Sequence, residues 1–106
     1  MRRIHLIIEY DGTNYAGWQR QANAMTVQEK LEIALKKLTG ETIGVSGASR
    51  TDAGVHAMGQ SAHFDTDSRI PADKFSYALN TMLPPDIRVV RSEEVPSEFH
   101  SRFSTR

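Results

Sequence analysis

Apolar residues along this chain switch between a two-residue and a helical spacing, and the order of the switches leaves few folds open to it. Ile4, Leu6, Ile8 and Tyr10 alternate with His5, Ile7 and Glu9, which is the period of a strand, and Asp11-Gly12 closes it with a turn signal. Thr26 then begins a capping box with Glu29 three residues later, and Val27, Leu31, Ala34, Leu35 and Leu38 form one helical stripe. Lys36 and Lys37 suit the C-terminal end of that helix dipole, and Gly40 stops it. Ile43 to Ser49 reads as a short strand and Val55 to Phe64 as another, with Arg50 to Gly54 joining or interrupting them. Ile70-Pro71 opens a second helix with Phe75, Ala78, Leu79 and Met82 on one face, and Pro84-Pro85 ends it. Ile87 to Val95 is the last strand.

The resulting order, β-α-β-β-α-β, predicts an α+β fold: a ferredoxin-like sandwich with two helices on one face of a four-stranded antiparallel sheet and the other face open. Residues 1–95 form that unit. Residues 96–106 carry Phe99, Phe103, Arg102 and Arg106 with no stop signal, and read as the beginning of something that continues.

Several functions are excluded early. A chain of 106 residues fits one small domain, and without cysteine it has neither a disulfide framework nor a thiolate nucleophile. No apolar run approaches a membrane span and no signal peptide is visible, so a cytoplasmic protein is expected. Thirteen basic and thirteen acidic residues cancel, so any nucleic-acid contact must come from a local patch. His5, His56, His63 and His100 lack the short spacings of a metal site, and no metal is expected. The glycines at 44 and 47 lack the lysine of a phosphate loop, and Gly47-Ala48-Ser49-Arg50-Thr51 ends on threonine where a serine-hydrolase elbow needs glycine. After Asp52 the next acids are Asp65 and Asp67, at the far end of the following strand, which disfavours two-carboxylate glycosidase chemistry.

What remains is the run Arg50-Thr51-Asp52-Ala53-Gly54-Val55-His56. On extended backbone, side chains two apart share a side, so Arg50 can sit beside Asp52 and hold its carboxylate ionised, ready to attack carbon. The alternative is an ordinary surface ion pair on a turn. His56 is close enough to hydrogen-bond the motif's loop, or it is a strand residue paired to backbone. Trp18, flanked by Gly17 and Gln19-Arg20-Gln21, either stacks on a base or caps the helical layer. Arg102 and Arg106 either bind phosphate or are solvated.

In order along the chain, Tyr10-Asp11-Gly12, Gly17-Trp18-Gln19-Arg20-Gln21, Arg50-Thr51-Asp52-Ala53-Gly54-Val55-His56-Ala57 and Phe99-His100-Ser101-Arg102-Phe103-Ser104 resemble the signatures of TruA-type tRNA pseudouridine synthases. The resemblance spans the chain and about the N-terminal half of that family's usual architecture. It implies cofactor-free homodimers acting on the tRNA anticodon stem-loop, at uridines of tRNA positions 38 to 40, with the cleft between two ferredoxin-like halves. It also implies that Asp52 is the nucleophile, and that Arg50, Thr51, His56, Arg20 and Arg102 position the base or bind RNA. The chain by itself is then expected to fold without turning over substrate. Two rival expectations are a non-catalytic RNA-binding module and a scaffold domain pairing through its open sheet face. The first is disfavoured because the central strands offer Val45, Ser46 and Ala57 where such modules carry stacking aromatics.

Overall fold

A computed structural model describes residues 1–19, 21–22, 24–48 and 56–100. The elements are β1 (Arg2–Tyr10), a single 3₁₀ turn (Gly12–Asn14), α1 (Val27–Thr39), β2 (Ser46–Gly47), β3 (Ala57–Thr66), α2 (Lys74–Asn80) and β4 (Ile87–Val95). The strands form one antiparallel sheet in the order β2-β3-β1-β4, the ferredoxin-like arrangement. Strand alternation sets the two faces: Ile4, Leu6, Ile8 and Tyr10 of β1 are buried with Ala62 and Phe64 of β3 and Ile87 and Val89 of β4. Val27, Leu31, Ala34 and Leu35 of α1 and Phe75 and Leu79 of α2 close that core, with Phe64 and Phe75 edge to face at 5.3 Å.

Both ends of α1 are capped, which explains why it starts and stops where its sequence says. Val27 and Gln28 donate their backbone N–H groups to the carbonyls of Gly17 and Trp18, Glu29 donates to the Thr26 hydroxyl at 3.3 Å, and Lys30 donates to the Thr26 carbonyl. At the other end Gly40 adopts φ +79° and its N–H returns to the Lys36 carbonyl.

Two elements are shorter than expected. Ile43 and Val45 are buried as a strand would bury them, yet only Ser46 and Gly47 join the ladder. Side chains of α1 occupy the backbone just upstream: Glu32 accepts from the Val45 N–H and Gln28 donates to the Val45 carbonyl at 2.7 Å, replacing strand partners. The second helix begins at Lys74, not Pro71, because the intervening backbone closes three-residue bonds, Lys74 to Pro71 and Phe75 to Ala72. Its short length is offset by ties to β4. Asn80 both donates to the Val89 carbonyl and accepts from the Val89 N–H, and the Ser92 hydroxyl bridges the Ser76 N–H and the Ala72 carbonyl.

The second sheet face is only partly open. Phe99 lies 4.7 Å from the His5 ring and edge-on to His63, His100 lies 4.7 Å from His63, and Arg3 donates to the Phe99 carbonyl. The chain past β4 thus covers one end of that face.

Candidate active site

Antiparallel topology brings the end of β1, the start of β3 and the start of β4 to one end of the sheet. There they enclose a cleft of about 500 Å³ lined by Glu9, Tyr10, Asp11, His56, Ala57, Met58, Pro85, Asp86 and Arg88. The chain between β2 and β3 carries the Arg50-to-His56 motif and returns to the sheet at this cleft through His56.

His56 is the motif residue whose surroundings are described, and it is tied to the turn after β1. The Gly12 N–H donates to its Nδ1 at 2.9 Å, while Asp11 Oδ1 lies 3.1 Å from the same nitrogen. One nitrogen cannot accept from an amide and donate to a carboxylate at once. An unprotonated Nδ1 accepts from Gly12 and a protonated one donates to Asp11, so the two contacts are alternatives at one nitrogen. Asp11 is fixed by Thr13, whose hydroxyl and N–H donate to it at 2.6 and 3.0 Å. Those two bonds, with His56 nearby, lower its carboxyl below the usual range.

On the opposite wall, Asp86 accepts from the Tyr15 hydroxyl at 2.5 Å and from Asn14 at 3.3 Å, and its carbonyl accepts from the Asp11 N–H. Burial, and then the adjacent Asp86 carboxylate, push the Tyr15 phenol well above its ordinary value, so it stays a donor. Arg88 faces Glu9 at 3.7 Å. The cleft is therefore polar, built on a rigid sheet end, and cross-braced between β1 and β4.

Arg50, Thr51, Asp52, Arg20 and Arg102 fall outside the described residues, so the expected Arg50–Asp52 pairing does too. Trp18 is placed otherwise than an exposed base-stacking ring would be: only 3% exposed, it stacks on Tyr10 within the core. Its edge fills the space left by Gly47 of β2, where an added Cβ would meet the indole nitrogen at 2.5 Å. The ring is thus buried and does not offer a face to a base, and it packs against β1 and β2.

Asp86, Glu9 and Arg88 were not singled out from sequence, and Asp11 only as part of a turn and signature, although the topology itself carried the signal, since β-α-β-β-α-β order puts the segments around residues 11, 56 and 86 at one sheet end. The same register sets His5 beside His63, which spacing along the chain conceals. Among the described residues no group of three His, Cys, Asp or Glu is arranged to hold a metal ion, and no helix is long and apolar enough to cross a membrane.

A ferredoxin-like α+β domain with a polar cleft at one sheet end, where an arginine-and-aspartate motif rejoins the sheet, defines the class. The family model described as tRNA pseudouridine synthase matches residues 6–104, and this chain belongs to that family. It is 66% identical over 106 residues to the tRNA pseudouridine synthase A of Ruminiclostridium cellulolyticum and 60% identical over 106 residues to that of Acetivibrio thermocellus. It is 58% identical over 105 residues to the protein of the same name from Clostridium kluyveri. These alignments cover 99 to 100% of this chain but 43% of each relative, so the chain spans less than half their length.

Proposed function

We propose that this chain is the N-terminal part of an enzyme that isomerises uridine to pseudouridine in the anticodon arm of tRNA, with Asp52 as nucleophile. The observation that carries the reading is the family membership together with the Arg50-Thr51-Asp52 motif, whose chain rejoins the sheet at the polar cleft through His56.

The chemistry asks for little. The N1–C1′ bond breaks, the detached uracil turns in place, and a C5–C1′ bond forms; C5 then loses its proton while N1 gains one. One ionised carboxylate that adds to the sugar or to the ring and later leaves is sufficient, with no oxidant or cofactor. Arg50 keeps Asp52 ionised, and it fills the space of the extruded base. Thr51 and His56 hold the loop, His56 through its bond to Gly12 at the end of β1. Arg20 and Arg102 contact RNA phosphates, supplying the local basic patch that the neutral net charge requires. Residues 1–95 are one half of the catalytic core, and 96–106 lead to the second half. The whole enzyme is a cytoplasmic homodimer, and the isolated chain is inactive.

The test is direct. The full-length enzyme is incubated with an unmodified anticodon stem-loop and with an unrelated hairpin over a salt series, and pseudouridine is quantified by nucleoside mass spectrometry. Product on the stem-loop alone, without added cofactor, is the expected result. Binding to both hairpins with no pseudouridine would favour a non-catalytic RNA-binding module instead.

A further inference from the structure

Strand β3 contains a misfit that its alternation does not explain. Gln60, Ala62 and Phe64 face the helices opposite Ile8, Leu6 and Ile4, so continued alternation would send Met58 into the core and Ala57 outward. The reverse holds. The register shifts between Ile8 and Tyr10, two residues of β1 against three of β3, and it is Ala57 that pairs with Tyr10 and packs on the core. A bulge of this kind re-aims side chains. Here it takes the larger apolar residue out of the core and leaves it 89% exposed, more than any other large apolar residue described.

Position gives that exposure meaning. Met58 lines the cleft beside His56, two residues past the Arg50-to-His56 motif, in a wall otherwise rich in charge: Glu9, Asp11, Asp86 and Arg88. Other exposed apolar side chains, Ile33 and Tyr77 on the helices for example, lie on elements away from the cleft. A long, polarisable thioether held in water at the mouth of a polar site suits a flat, apolar face that arrives with the substrate. Nucleobases supply such a face, and apolar side chains that include methionine act as wedges between stacked bases.

We infer that Met58 packs against the nucleobase neighbouring the target uridine and holds the stack open while the target is extruded. This rests on the functional reading above and adds a specificity contact to it. Base extrusion costs unstacking energy, and a side chain that replaces the lost stacking lowers that cost where sequence context demands it.

The experiment uses the full-length enzyme, as wild type, Met58→Ala and Met58→Leu, with an anticodon stem-loop carrying 2-aminopurine next to the target uridine. Stopped-flow fluorescence reports unstacking, and single-turnover kinetics report pseudouridine formation. Met58→Ala is expected to lower kcat/KM about tenfold, the scale on which one stacking contact acts. It should also blunt the fluorescence rise, while Met58→Leu keeps both and the melting temperatures of all three agree. Two results would overturn the role of Met58: an alanine variant equal to wild type in both readouts, or one whose slower rate comes with a normal fluorescence rise. If wild-type enzyme makes no pseudouridine at all, the failure lies with the functional reading.

Discussion

Trp18 and Gly47 show how much one missing side chain can fix. The indole lies where a Cβ at position 47 would stand, and the clashing atoms belong to the rigid ring, not to the far end of a flexible chain. Gly47→Ala is therefore expected to destabilise the domain by about 1–3 kcal/mol, the usual cost of overpacking a filled core. Gly44→Ala, next to buried Val45 but with nothing within 4 Å of its Cβ position, should be nearly neutral. Urea unfolding of both variants checks this, and equal midpoints would contradict the packing described. The tryptophan's burial was one of two readings left open, because its neighbours Gln19, Arg20 and Gln21 are polar and its partner at Gly47 is recognisable only as an absence. By contrast, the capping role of Thr26 and the stop at Gly40 were readable, since both depend on local backbone geometry alone.

At the scale of elements, what sequence made plain was periodicity and what it hid was side-chain competition for backbone. Strand β1 follows its alternation and β4 does so up to Val89, after which a register shift leaves Val90 and Arg91 both exposed, whereas β2 is cut to Ser46–Gly47 by Gln28 and Glu32 reaching from α1, a contact no local pattern announces. Cross-strand neighbours were equally hidden. His63 pairs with His5 on β1 and Ser46 on β2, one step along the same face from the bonded pair Arg3 and Asp65 and beneath Phe99 and His100. Burial first, then the Arg3 and His100 charges, lower its imidazole to about 4 from the ordinary 6.5. The unfolded chain therefore takes up this proton more readily than the folded one. The stability His63 contributes is complete above pH 6.5 and is lost as pH falls toward 4. Asp65, whose carboxyl is lowered by its hydrogen bonds from Arg3, and Asp11 and Glu41, also lowered, add their losses only at more acidic pH. Urea midpoints measured from pH 7.5 to 4.5 should fall for wild type and fall less for His63→Gln; identical slopes would contradict the account.

Across the whole molecule, the ferredoxin-like order was legible because six elements leave few topologies, and the cleft follows from that topology once the strand pairing is known. The chemistry was legible in a motif, not in the fold, since a βαββαβ sheet by itself carries many functions. The chain spans 43% of the length of the relatives it matches. The claim that matters most is that Asp52 makes and breaks the bond to the nucleoside. In the full-length enzyme, Asp52→Asn and Asp52→Ala are compared with wild type for pseudouridine formation and for tRNA binding. The account predicts pseudouridine formation lost in both variants with binding retained, and substantial turnover by either one would contradict it.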